Sequence, residues 1–286
     1  MCGIYGVIPL KGMSVRKAVL RQVLKNLARC SQARGTHATG YAFTSSQGVE
    51  VFKHNVSAET FFTLDNYKSV VRTGFNQKNL FSVIGHTRHQ TKGSHTNTNN
   101  NHPILTGDIV GVHNGMIHND DEIFRQLDEK SEGEIKRIAQ VDSEAIFALI
   151  NYYAKNHKFP EKVTGSKMIG HVSNPTSRAI ARAGSELTGS FACACVDAEN
   201  PSAVWLFRGN GPINVKHYKK EGLVLFASVE NYITKSVDVF NFSEPENINI
   251  ETQSGICINA SVNTFNSFEF DTTVNKGWMN RFGGTY

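Results

Sequence analysis

A cysteine placed directly behind the initiator methionine, at the head of a β-rich run, constrains this chain more than any other feature. Once Met1 is removed, Cys2 carries a thiol and a free α-amino group on one residue. An α-amine titrates near pH ~8, so it can take the thiol proton at neutral pH, directly or through a water. Residues 3–8 are β-rich, which predicts a buried strand with the nucleophile at its start. For this position alone a non-catalytic cysteine is the more ordinary interpretation, so the later stretches must decide.

The composition is that of an ordinary globular protein and excludes several classes. The 286 residues are 40% hydrophobic and 19% charged, and the net charge of +5 comes from scattered Lys and Arg, which favours a solvated surface over nucleic-acid binding. No apolar run approaches the ~20 residues that span a membrane, and the N-terminus lacks the features of a signal peptide. The five cysteines form no CxxC pair, which indicates neither a disulfide framework nor a metal site. We therefore predict a cytoplasmic protein with free thiols, of which Cys193 and Cys195 share one face of a buried strand.

The hydrophobic pattern predicts alternating strands and helices. Helices are expected over 14–30, 57–64, 120–129, 142–155, 166–171, 175–182 and 229–236, and strands over 3–8, 41–44, 49–53, 81–85, 108–113, 191–197, 203–208, 223–229 and 256–262. The mixed, basic segment 155–189 carries no assignable chemistry. The polar residues 264–286 are expected to form a surface tail behind a domain that covers 1–263.

Polar residues cluster where the predicted strand 81–85 ends. His86, Arg88, His89 and Thr91 follow one another there, and strand ends commonly present the chemistry of a layered fold. A guanidinium such as that of Arg88 can clamp a carboxylate through two parallel hydrogen bonds, or it can form a structural ion pair. The asparagine-rich stretch 94–101 is too hydrophilic for the core and is expected to be a mobile flap or plain surface.

Three further positions admit two interpretations each. Asn114-Gly115 is first a tight-turn signal, but a side-chain amide and a backbone N–H can also converge to form an oxyanion hole. Asp142 begins a predicted helix, so it either caps that helix or receives a substrate ammonium. Arg34 is either an ordinary loop arginine or a residue that helps to hold Cys2.

These residues are part of an ordered set of short motifs that covers residues 2 to about 260. The set is Cys2-Gly3-Ile4-x-Gly6, Arg34-Gly35, Gly40, Gly85-His86-Thr87-Arg88, His102-Pro103, His113-Asn114-Gly115, Asp142-Ser143-Glu144, Leu187 to Ala192, Phe207 to Pro212 and Phe226-Ala227-Ser228. In this order and at these spacings it resembles the class II glutamine amidotransferases, in particular the glutaminase domain of the glucosamine-6-phosphate synthases.

The resemblance implies a fold and a role for each matching residue. The fold is an α+β, four-layer αββα sandwich of the N-terminal-nucleophile hydrolase type. Cys2 matches the nucleophile, with its own amine as base, and Asn114 with Gly115 matches the oxyanion hole. The substrate L-glutamine would be bound through its carboxylate by Arg88 and through its ammonium by Asp142. Thr91 and His89 would line the pocket, Gly115 would also touch substrate, Arg34 and His86 would give support, and no cofactor or metal is implied.

Two departures from the family pattern lie in the loop that shapes the pocket. His89 stands where the pattern has Trp, and Lys92 stands where it has His. Affinity for glutamine, or closure of the loop, is therefore expected to differ from that of the synthases.

The ammonia acceptor is the remaining question. Relatives of this kind carry a second domain that uses ammonia, and none follows residue 260 here, so we expect delivery to a separate partner protein. Two other functions stay open. One is an N-terminal-cysteine amidohydrolase for another amide, which needs no pair of Arg88 and Asp142. The other is a non-catalytic scaffold or inhibitory protein that retains the fold.

Overall fold

The computed structural model describes residues 2–156 and 174–270, and two stacked antiparallel sheets form its centre. In chain order the described strands are β1 (Gly3–Pro9), β2 (Ala38–Ser45), β3 (Gly48–His54), β4 (Leu80–Arg88), β5 (Ile104–Thr106), β6 (Ile109–Ile117), β7 (Gly189–Asp197), β8 (Asn200–Arg208), β9 (Asn214–Tyr218), β10 (Leu223–Ala227), β11 (Glu246–Ile248), β12 (Ser254–Asn259) and β13 (Thr264–Glu269). The first sheet has the order β11-β9-β10-β1-β4-β2-β3, and the second has the order β13-β12-β8-β7-β6-β5. Strand β1, which follows the predicted nucleophile Cys2, is thus central in its sheet.

Helices cover the outer face of each sheet. The described helices are α1 (Lys17–Ser31), α2 (Ala58–Phe61), α3 (Tyr67–Asn76), α4 (Asp120–Lys130), α5 (Ser143–Lys155), α6 (Pro175–Glu186) and α7 (Glu230–Val237). Apolar residues of α1, α2, α3 and α7 pack on the first sheet, and those of α4, α5 and α6 pack on the second. Within the described residues, no helix combines the length and the apolar character that crossing a membrane would require.

The layers arise because the central strands are apolar on both faces. On β1, Tyr5 and Val7 face the helices, whereas Ile4 and Ile8 face the second sheet, and all four are fully buried. Strands buried on both faces read as continuous apolar runs rather than alternating ones. The predicted α+β, four-layer αββα sandwich is confirmed.

The predicted boundary after residue 263 is wrong. Residues Thr264–Glu269 form β13, which pairs with β12 at the edge of the second sheet, and Phe268 and Phe270 are buried in its helix-facing core. Two aromatic side chains spaced by two residues are enough to hold a strand in an otherwise polar stretch. The rest of the predicted tail, 271–286, and the helix predicted over 166–171 lie outside the described residues.

The register brings several strand ends together at one edge of the sandwich. Gly3 at the start of β1 pairs with Thr87 near the end of β4, and Tyr5 pairs with Ala227 at the end of β10. Residues that precede β1 or follow β4 and β10 are therefore neighbours in space, although they are far apart in the chain.

Candidate active site

Cys2 lies at this edge, one residue before β1, with a partly exposed side chain. Its Sγ accepts a hydrogen bond from the backbone N–H of His89 at 3.3 Å, and the protonated thiol can donate to the His89 carbonyl at 3.4 Å. Burial raises the pKa of the Cys2 thiol, while the His89 N–H and the guanidinium groups of Arg88 and Arg34 lower it. Because burial dominates, the thiol needs a base to become a nucleophile near neutral pH.

Arg34 holds the backbone beside the nucleophile. It lies in a short 3₁₀ turn behind α1, and its Nε donates to the carbonyl oxygen of Cys2 at 2.5 Å. The next residue, Gly35, approaches the end of β4 so closely that a Cβ would lie 2.3 Å from the carbonyl carbon of Arg88. The glycine therefore lets the Arg34 turn and the strand end meet.

Arg88 is the last residue of β4 and is only 2% exposed. Its Nη1 donates to Asn101 Oδ1 at 2.8 Å, and its Nη2 donates to the carbonyls of Lys92 at 2.7 Å and Gly93 at 2.8 Å. Burial lowers the pKa of the guanidinium, and the negative charges of Cys2 and Asp142 raise it. The cation thus lies within electrostatic reach of both the nucleophile and the predicted ammonium-binding carboxylate.

The loop between β4 and β5 folds over this cation and is partly buried, so the prediction of a purely surface stretch at 94–101 is wrong. Asn100 and Asn101 are fully buried. Asn101 Nδ2 donates to His95 O at 2.7 Å, and Asn100 Nδ2 donates to Ser94 O at 2.8 Å. Asparagine can be buried here because its amide satisfies backbone groups that the loop would otherwise leave unpaired.

Lys92 anchors the same loop to α4. Its Nζ donates to Asp120 Oδ2 at 2.5 Å, and Arg137 binds the same carboxylate oxygen. Burial of Asp120 acts to raise the pKa of its carboxyl, and these two cationic partners outweigh it and lower the pKa. The lysine that departs from the family pattern is therefore an ion-pair anchor of the pocket loop.

Three histidine rings stack at the mouth of the site. His37 stacks with His89 at a centroid distance of 5.0 Å and with His95 at 5.2 Å. His89, which stands in the sequence where the family pattern has Trp, thus stacks on His37. Thr91, predicted to line the pocket, is exposed on the loop that carries His89.

Asp142 immediately precedes α5 and is 6% exposed. Its side chain makes no capping hydrogen bond to α5, so the cap interpretation is wrong; Oδ2 instead accepts from the backbone N–H of Ile117 at 2.7 Å. The carboxylate is thereby tied to the end of β6, the strand that carries Asn114.

Asn114 and Gly115 lie within β6, so the tight-turn interpretation of this pair is also wrong. They pair with Ala192 and Phe191 of β7. Gly115 has φ +139°, and a Cβ there would lie 1.8 Å from the Ser190 carbonyl oxygen, so only glycine fits. The positive φ turns the backbone of β6 out of regular strand geometry at the predicted oxyanion hole.

His86 and His102, near the predicted oxyanion residue Asn114, are buried and neutral. His86 Nε2 lies 3.1 Å from His113 O, and its ring centroid is 4.1 Å from that of His102. Burial lowers the pKa of His86 to about 3 and that of His102 well below its usual value. Neither imidazole is therefore an acid at neutral pH.

Sequence reasoning missed two residues that hold this site together. Asn101 binds Arg88, and the Ser228 hydroxyl lies 2.6 Å from Asn114 Nδ2. A buried arginine needs acceptors, so the nearby asparagine run was an available signal for Asn101. The contacts of Ser228 join two sheets, and no local pattern reveals them.

Solved structures identify the class of fold. The glutamine phosphoribosylpyrophosphate amidotransferase from B. subtilis superposes with a TM-score of 0.62 at 17% identity, over 95% of this chain and 50% of that one. A glutamine aminotransferase class-II domain protein from Silicibacter pomeroyi superposes with a TM-score of 0.51 at 10% identity, over 93% of this chain and 99% of that one. The fold of this chain is thus the class II glutamine amidotransferase fold.

Sequence relatives narrow the similarity further. The isomerizing glutamine–fructose-6-phosphate aminotransferase of Helicobacter pylori is 28% identical over 248 residues, which are 87% of this chain and 36% of that protein. The corresponding protein of Thermococcus kodakarensis is 31% identical over 215 residues, which are 74% of this chain and 30% of that protein. No protein-family model matches. The chain spans roughly a third of the length of these relatives, and the predicted resemblance to class II glutamine amidotransferases is confirmed.

Proposed function

We propose that this chain, once Met1 is removed, hydrolyses L-glutamine to glutamate and ammonia through a γ-glutamyl thioester on Cys2. The observation that carries the proposal is the buried cation of Arg88, which lies within electrostatic reach of both Cys2 and Asp142. Free glutamine has a carboxylate, an ammonium and a side-chain amide. A fixed cation whose charge interacts with both a fixed anion and the thiol matches these three groups.

Binding uses the two charged residues. Arg88 receives the α-carboxylate, and Asp142, held through Ile117, receives the α-ammonium. The loop carbonyls of Lys92 and Gly93 already point at the Arg88 guanidinium, so loop position and carboxylate binding are linked. With both ends fixed, the amide carbon is directed to Cys2 Sγ, which lowers the entropic part of the barrier.

The chemistry then proceeds in two half-reactions. The α-amine of Cys2 takes the thiol proton, and Sγ attacks the amide carbon to give a tetrahedral oxyanion at Asn114 and Gly115. A preorganised donor of this kind contributes ~3–4 kcal/mol. As the oxyanion collapses the C–N bond breaks, and the leaving nitrogen takes the proton from the ammonium and departs as ammonia. Water, deprotonated by the same amine, attacks the thioester, the C–S bond breaks, and glutamate leaves with the thiol restored.

Two variants test this assignment against the amidohydrolase and scaffold alternatives. Asp142→Asn keeps an acceptor for the Ile117 N–H but loses the charge, and Arg88→Lys keeps the charge but loses the planar pair of donors. Each should raise the KM for glutamine by a factor of ten or more. Turnover of glutamine that persists unchanged in both variants, or that persists in Cys2→Ala, would contradict the proposal.

We also propose that the ammonia is passed to an acceptor in a partner protein in the cytoplasm. The relatives are named as glutamine-dependent aminotransferases to a sugar phosphate, a reaction in which the glutamine nitrogen goes to an acceptor. A partner should co-elute with the chain, and its acceptor substrate should raise the rate of glutamine hydrolysis. A chain that turns over glutamine at one rate with or without the co-eluting protein and its acceptor would count against this.

A further inference from the structure

The hydroxyl of Ser228 joins the oxyanion residue to the strand of the nucleophile. Ser228 follows β10 and is 2% exposed. Its Oγ accepts from the backbone N–H of Ile4 at 2.9 Å and lies 2.6 Å from Asn114 Nδ2. The Ile4 carbonyl already accepts from the backbone N–H of Ser228 at 2.9 Å. The hydroxyl also lies 3.3 Å from this carbonyl, which is a second possible acceptor for its proton. The 2.6 Å contact makes the Asn114 amide the nearer partner of the hydroxyl.

Two neighbouring polar atoms indicate the orientation of the Asn114 amide. Asn114 Oδ1 and His86 Nδ1 are both buried and have no hydrogen-bond partner among the described residues. The 2.6 Å separation from Ser228 is short for an N–H···O bond and typical of an O–H···O bond. Oxygen and nitrogen of an asparagine amide are assigned from the surrounding network. Rotating the amide by 180° places Oδ1 on the Ser228 hydroxyl.

The His86 ring then provides a hydrogen-bond acceptor for the Asn114 amide nitrogen. Its Nε2 lies 3.1 Å from the carbonyl of His113, which can only accept, so Nε2 carries the proton. Nδ1 of the neutral ring is consequently an acceptor. The Asn114 side chain lies beside this ring, and in the unrotated orientation its contact raises the pKa of His86, as an acceptor would. The rotated amide instead directs one N–H to the unpaired Nδ1 and keeps the other for the substrate.

We propose that Ser228 is a positioning residue that holds Asn114 with its amide nitrogen towards the reacting carbonyl. The Ser228 hydroxyl donates to Oδ1, and Asn114 Nδ2 donates one proton to His86 and the other to the oxyanion. The opposite orientation would present Oδ1, whose partial negative charge repels the oxyanion. This inference rests on the proposed glutaminase activity and adds the means by which the oxyanion hole is oriented.

Three variants at position 228 test the role. Ser228→Ala removes the hydroxyl, Ser228→Cys retains a side chain of similar size with only a weak donor, and Ser228→Thr retains the hydroxyl. The Ala and Cys variants should lose about tenfold or more in kcat for glutamine with KM within twofold, because the oxyanion forms only after binding. The Thr variant should recover most of the rate.

An aldehyde analogue of glutamine separates positioning from general damage. Cys2 adds to the aldehyde to give a tetrahedral hemithioacetal whose oxygen occupies the oxyanion hole, whereas the product glutamate makes no such adduct. The ratio of aldehyde Ki to glutamate Ki should rise in Ser228→Ala and Ser228→Cys by a factor similar to the loss in kcat. A purely structural role would weaken both ligands together.

Ser236 supplies the matched control. Its hydroxyl is also fully buried and donates to the Ile233 carbonyl at 2.7 Å, within α7. Ser236→Ala should leave kcat and the Ki ratio unchanged. If Ser228→Ala does not fold, Ser228→Cys alone tests the positioning role. Folded Ala or Cys variants with unchanged kcat and Ki ratio would overturn the positioning role alone, whereas a processed wild-type chain that hydrolyses no glutamine would overturn the proposed function with it.

Discussion

The thiol of Cys2 accepts a hydrogen bond from the backbone N–H of His89 at 3.3 Å. His89 opens the loop whose carbonyls at Lys92 and Gly93 bind the Arg88 guanidinium. The nucleophile and the cation proposed to bind the substrate carboxylate are therefore held by one segment. A displacement of that segment would disturb both the reactivity of the thiol and the affinity for glutamine.

The anchor of this loop gives the first prediction. Lys92 pairs with Asp120, whose side chain is 5% exposed against 44% for the lysine. We expect Lys92→Ala to raise the KM for glutamine several-fold with kcat within twofold, because the loop carbonyls no longer place Arg88. Steady-state kinetics measure the effect. Lys219→Ala, which breaks a pair with Glu246 in which both partners are 60% exposed, is the control and should change nothing. Equal KM in the Lys92 and Lys219 variants would refute the anchor.

The backbone at Gly115 gives the second prediction. A Cβ at Gly115 would lie 1.8 Å from the Ser190 carbonyl oxygen. Gly48 also has a positive φ (+113°), but a Cβ there would have no atom within 4 Å. Gly48→Ala should cost about 1–3 kcal/mol of unfolding free energy, the cost of an unfavourable φ. Gly115→Ala should cost more and should also abolish most of the kcat. Urea denaturation measures the unfolding free energy of each variant, and kinetics on the folded fraction measure its kcat. Similar unfolding free energies and similar kcat values for the Gly48 and Gly115 variants would contradict this prediction.

An element of this fold can be predicted from the sequence when the interactions that form it are local in the chain. Strand β1 and helix α5 are predicted closely because their apolar patterns are local and long. Strand β13 is missed because its stretch is polar apart from scattered aromatics, and its pairing with β12 is a tertiary event. The Asn114-Gly115 pair is open between a tight turn and an oxyanion hole, and an Asn-Gly signal does not show that β7 pairs across it.

For the site, too, local features can be predicted from the sequence and long-range contacts cannot. Residue type and motif order alone mark Cys2, Arg88, Asn114 and Asp142. The contacts that hold them, such as Asn101 on Arg88, join segments whose neighbourhood exists only in the fold. Most of these contacts are hydrogen bonds to backbone or amide groups, which leave no charge or periodic signature in the sequence.

Buried histidines give a prediction on pH and stability. Burial lowers the pKa of His86 to about 3, that of His102 well below its usual value and that of His113 below 6.5. Below pH ~6.5 the unfolded chain binds protons that the native state does not, so the free energy of unfolding should fall as pH falls towards 3. Each such histidine contributes a slope of up to about 1.4 kcal/mol per pH unit.

Urea denaturation at pH 7.5 and pH 5.0 measures this slope. His86→Gln should reduce the loss of unfolding free energy between the two pH values, because it removes one group that titrates only in the unfolded state. His118→Gln, at an exposed position, is the control and should leave the loss as in the wild type. A slope in the His86 variant equal to that of the wild type would show that the ring is protonated in the native state.

The most direct test of the central claim is intact mass before and after treatment with a glutamine-like diazoketone that alkylates the nucleophilic thiol. The experiment uses a Cys30→Ala background, since Cys2 and Cys30 are the two partly exposed cysteines among the described residues. The account predicts a chain that lacks Met1 and gains one adduct, with protection by glutamine and no adduct in Cys2→Ala. A chain that lacks Met1 and gains no adduct, or an adduct that glutamine does not prevent, would contradict it.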